Sequence, residues 1–212
     1  MKRLALALGV AGAGMLIGSC ATMSEDQCLA GAWGEVGYAD GQAGYPMSRL
    51  AAHAEACAKY GVVPELSVYQ SARADGLMQY CTEARGFQVG RQGEAYNGVC
   101  TPSQEAQFLP AYHDGQIVHA ANAAVGAARS NVDGLASRLN ELDDKISAKQ
   151  DEARQPQLTD DERDAIRSRI REIRLEREST ERDWYRAQDE LDDAEAAVRD
   201  VRWRFRDVYG TW

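Results

Sequence analysis

From residue 118 to residue 146 the chain places small and apolar side chains in unbroken steps of three and four: Val118, Ala121, Val125, Ala128, Val132, Leu135, Leu139, Leu142 and Ile146. Such a heptad seam is one stripe of an α-helix, and it has to be covered by another helix to leave water. A second seam runs through Ile166, Ile170, Ile173, Arg177, Thr180, Trp184, Ala187, Leu191, Ala194, Val198, Val201, Phe205 and Val208. Between the two, Pro156 interrupts the helix and Thr159-Asp160-Asp161-Glu162 reads as a capping box that starts a new one. If the chain reverses at Pro156, facing residues have numbers that sum to about 312, which sets Ile146 against Ile166, Leu142 against Ile170 and the bulky Trp184 against Ala128. Large against small is what a close-packed core prefers. Carried further, the same rule sets Val201 against Ala111, Phe205 against Gln107 and Val208 against Gln104, and returns Trp203, Phe205, Tyr209 and Trp212 to the first half of the chain. Residues 102–212 are therefore expected to form an antiparallel coiled-coil hairpin about 70 Å long at 1.5 Å per residue. Arg177 and Thr180 interrupt the second seam and are read as setting its register or, alternatively, as marking where a third helix or a partner docks.

The first half has a different composition. Residues 20–101 hold most of the Gly, Tyr and Cys, and Gly44-Tyr45-Pro46, Tyr60-Gly61 and Val63-Pro64 each look like a stop followed by a start. Helices are expected near residues 25–43, 47–60 and 64–80. Between Cys81 and Cys100, glycines at 86, 90, 93 and 98 alternate with Phe87, Val89, Tyr96 and Val99, which suggests a short β-hairpin or an irregular loop. A short internal repeat, Gly37-Tyr38-Ala39-Asp40-Gly41, Ala72-Arg73-Ala74-Asp75-Gly76 and Ala111-Tyr112-His113-Asp114-Gly115, recurs at spacings of 35 and 39 residues. Each copy puts a small residue four before a glycine, a smooth groove for close helix crossing. The fold class expected is mainly α: a small disulfide-braced helical head and a long helical hairpin.

The first nineteen residues resemble an export signal, with Lys2 and Arg3 before an apolar run over residues 4–17 that is short for a membrane span. It ends in Ile17-Gly18-Ser19-Cys20, which resembles the lipobox of bacterial lipoproteins. That resemblance implies cleavage before Cys20 and acylation of it, with the lipid bilayer as partner. With Ala and not Asp at position 21, it implies the outer membrane, facing the periplasm. Setting Cys20 aside leaves Cys28, Cys57, Cys81 and Cys100, an even number in a chain bound for an oxidising compartment. Two disulfides are expected, with three possible connectivities. The turn-like stretch between Cys81 and Cys100 favours that pair, and so Cys28 with Cys57.

Thirty-three acidic against 24 basic side chains give a net charge of −9, which repels nucleic-acid phosphates. The histidines His53, His113 and His119 assemble no catalytic set, and no cysteine pair has zinc-ligand spacing. Asp40, Asp75 and Asp114 lack the further acidic ligands of a calcium loop. No cofactor and no enzymatic activity are expected. A protein-interaction or structural scaffold is the leading reading, with an envelope protein or the cell wall as partner of the coiled coil. The alternative is a head that takes a small or saccharide ligand through Tyr38, Tyr69, Arg73 and Tyr80.

Trp33, Gly37, Asp40-Gly41, Arg49, His53, Ala56-Cys57, Gly61, Pro64, Tyr69, Arg73, Gly76-Leu77, Tyr80-Cys81, Gly86, Gly90, Gly93 and Tyr96-Asn97-Gly98-Val99-Cys100 together resemble the signature of a bacterial lipoprotein family, the domain-of-unknown-function family numbered 2799. The resemblance covers about residues 24–118. Ala72 stands where that pattern has glycine before Arg73, a departure that keeps the residue small. The family implies an envelope address and brings no catalytic residues.

Overall fold

The computed structural model describes residues 22–212; the first nineteen residues, read as an export signal, and Cys20 lie outside the described residues. Seven helices follow in order: α1 (Glu25–Leu29), α2 (Trp33–Gln42), α3 (Arg49–Ala58), α4 (Leu66–Tyr80), α5 (Glu83–Gln92), α6 (Pro102–Ala153) and α7 (Asp160–Tyr209). Among the described residues there is no strand. Two disulfides join Cys28 to Cys57 and Cys81 to Cys100.

The helix expected over residues 25–43 is two helices, because Gly31 takes a φ of 63° between α1 and α2. The segment between Cys81 and Cys100 also departs from expectation: instead of a hairpin it holds α5, capped by Thr82 at its start and by Gly93 with φ 73° at its end. Gly86 and Gly90 are one helical turn apart and lie on a packing face, so only Gly93 and Gly98 act as turn glycines there. After α5, the Tyr96 hydroxyl donates to Glu105 at 2.7 Å and accepts the Cys100 N–H at 2.9 Å, which ties the disulfide loop to α6. Burial and that carboxylate push the Tyr96 phenol up to about 12.

The glycines reveal that the head is one helix-pair unit used twice. In the first unit α2 crosses α4: a Cβ on Gly37 would lie 2.5 Å from the Tyr69 carbonyl oxygen, and one on Gly41 would sit 2.8 Å from the Leu77 nitrogen and 2.9 Å from the Gly76 Cα. In the second unit α5 crosses the start of α6: a Cβ on Gly86 would lie 2.5 Å from the Phe108 carbonyl oxygen, and one on Gly90 would sit 2.9 Å from the Gln116 nitrogen. Gly44 against the Tyr80 ring is repeated by Gly93 against the His119 ring. The small-residue repeat legible in the sequence is thus the crossing surface of α2, α4 and α6, and α5 supplies the fourth such surface through Gly86 and Gly90. Tyr80 stacked on Phe108, with centroids 5.3 Å apart, joins the two units.

Every position of the first seam from Val118 to Ile146 is buried or half-buried, as is every position of the second from Ile166 to Phe205. Across the hairpin Arg138 pairs with Glu176, Arg177 Nε reaches Asp143 at 2.6 Å, and Arg129 reaches Glu195 at 3.0 Å. Arg177, the polar interruption, thus ties the two helices together. The turn is closed by Arg163, whose guanidinium donates to the carbonyl oxygens of Ala153 at 2.7 Å and Gln155 at 2.9 Å. The Thr159 backbone N–H and hydroxyl hold the Glu162 carboxyl below the usual carboxylate range and complete the capping box.

Toward the head the simple sum rule fails by about three helical turns, the Arg129–Glu195 pair summing to 324 and the Tyr209–Asp114 pair to 323 in place of 312. Phe205 groups with Phe87, Ala111 and Val118, not with Gln107, and the Tyr209 hydroxyl donates to Asp114 at 2.9 Å. The offset is already present at Arg129, so it builds up along the hairpin, and the end of α7 packs against α5 and the stretch of α6 from Ala111 to Val118. Val208 and Trp203 accordingly stay 62% and 71% exposed, while Tyr209 stacks on Phe87 at 4.0 Å. Because Phe108, Ala111, Tyr112 and Gly115 are buried in the head, the free arm of α6 starts near Val118. It extends about 50 Å to its end at Ala153, less than the full helix length.

Candidate functional site

Asp40 sits on α2 one residue before the Gly41 crossing and is 6% exposed. Its Oδ2 accepts the Tyr69 hydroxyl at 2.6 Å and the His53 Nε2–H at 2.7 Å, and the Arg49 guanidinium stands 3.7 Å from Oδ1. The other imidazole nitrogen, Nδ1, lies 2.8 Å from the Thr22 hydroxyl. Since a carboxylate only accepts, the neutral ring carries its proton on Nε2 and Nδ1 accepts from Thr22. Burial, and then the bond to Asp40, push the Tyr69 phenol well above its ordinary value, so it stays a donor.

Three elements bring these groups together. The α2–α4 crossing sets Tyr69 beside Asp40, and the Cys28–Cys57 disulfide holds α3 so that His53, one turn before Cys57, faces inward. Residues 22–24 then run over the site: Met23 is buried with its sulfur 3.9 Å from Cys57 Sγ, a contact and not a hydrogen bond because Cys57 has no S–H, and Ser24 caps α1. The imidazole, 1% exposed, is closed to solvent in this arrangement. Hydroxyl, imidazole and carboxylate form a chain able to relay a proton, but what the chain does directly is hold the segment that follows residue 21.

The second unit shows that this polar chain is not a requirement of the fold. By the matching glycine contacts, Val89 occupies the place of Asp40 and Phe108 that of Tyr69, and both are fully buried. An apolar pair fills there what a carboxylate and a phenol fill in the first unit. A buried carboxylate costs several kcal/mol in lost hydration, offset only by the partners it keeps. The first unit therefore bears a cost that the second avoids, and what it gains is a grip on Thr22.

The four residues considered as ligand contacts lie in different surroundings. Tyr69 is bound to Asp40, and Tyr80 is buried against Phe108 in the other core cluster. Arg73 donates through Nε at 3.0 Å and Nη2 at 2.5 Å to the Tyr45 carbonyl oxygen. Tyr38 is 39% exposed, its hydroxyl accepting from the Gln42 amide. The sequence reading did not assemble Asp40, His53 and Thr22. Its one available signal was a histidine a turn before Cys57, and their meeting depends on how α3 folds back over α2.

Residues 32–117 match the family model described as protein of unknown function (DUF2799). The match runs from the start of the first glycine unit through the Gly115 crossing of the second and ends where the hairpin seam begins. No characterised protein and no solved structure matches the chain.

Proposed function

We propose that this chain, which carries a DUF2799 domain over residues 32–117, is a lipoprotein held in the outer membrane by acylated Cys20, with its helical hairpin reaching into the periplasm to contact an envelope protein or the cell wall. The observation that carries this reading is the grip of His53 on Thr22. Two residues span about 7 Å at most, so a lipid on Cys20 leaves almost no slack between bilayer and head. Several acyl chains, at about 0.8 kcal/mol per buried methylene, supply lasting attachment. No helix among the described residues is long and apolar enough to cross a membrane. The head then acts as a rigid base and the hairpin as the part that reaches away, with Leu175 and Tyr185 exposed along it at 66% and 56%.

Photo-crosslinking in cells from positions 175 and 185, with position 63 on the head as comparison, tests the scaffold role. A discrete adduct formed from the hairpin positions and absent from the head position is expected. Adducts of the same pattern from all three, or none, would count against a hairpin-borne partner.

A further inference from the structure

The last turns of α7 carry Arg199, Arg202, Arg204 and Arg206 with two acidic residues, Asp200 and Asp207, the latter 3.4 Å from Arg206, in a chain whose net charge is −9. Steps of three and four place Arg199, Arg202 and Arg206 along one side of the helix. With Trp203, Trp212 and the backbone at Gly210 they line a cavity of about 330 Å³, within the range of about 300–1,000 Å³ typical of small-molecule sites.

Four features point to what it takes. Among the described residues Arg199 and Arg202 form no ion pair, the neighbouring Glu195 being engaged by Arg129 at 3.0 Å. Trp203 is 71% exposed, and the Arg206 guanidinium covers only one face of its ring, 4.4 Å from the centroid. Arg91 of α5 adds positive charge 5.7 Å from the Trp212 ring. Trp212 lines the cavity, and its buried indole N–H has no acceptor. Paired guanidinium groups suit the oxygens of a phosphate, and an open indole face suits the C–H face of a sugar ring.

We propose that this cavity binds a phosphorylated sugar, its phosphate between Arg199 and Arg202 and its ring on the free face of Trp203. The site is separate from the Asp40 cluster and does not depend on how the chain is anchored. The sugar phosphate is either soluble or the headgroup of a lipid, and the two sources are separable. Calorimetric titration of the purified full chain with N-acetylglucosamine 6-phosphate, with N-acetylglucosamine and with inorganic phosphate covers the first. Co-sedimentation with phosphatidylcholine vesicles carrying monophosphoryl lipid A, against vesicles carrying phosphatidylglycerol, covers the second.

Saturable binding of the soluble sugar phosphate, or of the lipid A vesicles over the phosphatidylglycerol vesicles, supports the site, provided that Arg199→Gln with Arg202→Gln weakens it at least tenfold. Trp203→Ala should weaken it in the same arm while leaving the melting temperature unchanged, since the side chain is exposed. Equal affinity for inorganic phosphate, equal binding to phosphatidylglycerol vesicles, binding that survives the arginine substitutions, or no saturable binding in either arm would each overturn it.

Discussion

Gly41→Ala and Gly90→Ala are each expected to destabilise the head by about 2–3 kcal/mol, whereas the same change at Gly126 or Gly134 should stabilise the hairpin by about 1 kcal/mol. All four glycines lie inside helices, so intrinsic propensity favours alanine at every one. What differs is the space beyond the Cα. At Gly41 a methyl would press on the backbone of Arg73, Gly76 and Leu77, and at Gly90 on that of Tyr112 and Gln116. Backbone cannot rotate aside, so the helix pair has to move apart and the buried contacts around Tyr69 or Phe108 loosen with it. At Gly126 and Gly134 nothing lies within 4 Å, and only the conformational gain remains. Urea unfolding followed by helical circular dichroism reads both signs. A Gly41→Ala midpoint equal to that of the parent would mean that the crossing is looser than described.

Asp40→Ala should cost about 3–5 kcal/mol, because it leaves two buried donors, the Tyr69 hydroxyl and the His53 Nε2–H, without their acceptor and removes the carboxylate facing the half-buried Arg49 guanidinium. The triple change Asp40→Val, Tyr69→Phe and His53→Leu removes donors and acceptor together and copies the apolar filling of the second unit. It should restore most of that loss, to within about 1–2 kcal/mol of the parent. Its defect should be local: the amides of Met23 and Ser24 exchange faster with solvent once Thr22 has lost His53, while those of α2 and α4 keep their protection. A triple variant as unstable as Asp40→Ala would show that the polar chain supports the fold itself, and protection of Met23 unchanged in a stable triple variant would remove its role as a grip.

The hairpin was legible because its signal is periodic: from Val118 to Ile146 and from Ile166 to Phe205 each expected seam position is shielded. Its register toward the head was not, because the sum rule counts from the turn alone, and by Arg129 and Glu195 the two helices are already offset by about three turns. Helix α5 was hidden by its glycines. Gly86 and Gly90 carry the composition of a turn, yet a spacing of four makes them a crossing surface, and only a partner backbone distinguishes the two uses. The small-residue repeat carried the crossing surface, and the even cysteine count carried the disulfides; the pairing of Cys81 with Cys100 was right although the stretch between them is the helix α5 and not the turn-like loop expected. The Asp40 cluster was out of reach for another reason: Thr22, Asp40, His53 and Tyr69 come from four separate segments, and no local pattern links them.

The proposed placement of the head at the bilayer depends on Cys20, and mass spectrometry of the protein extracted with detergent from membranes of cells that express it tests this most directly. The expected N-terminal peptide begins at Cys20 and carries the mass of a diacylglycerol together with an amide-linked acyl chain. A peptide that retains residues 1–19, or one that begins at Cys20 without lipid, would contradict it.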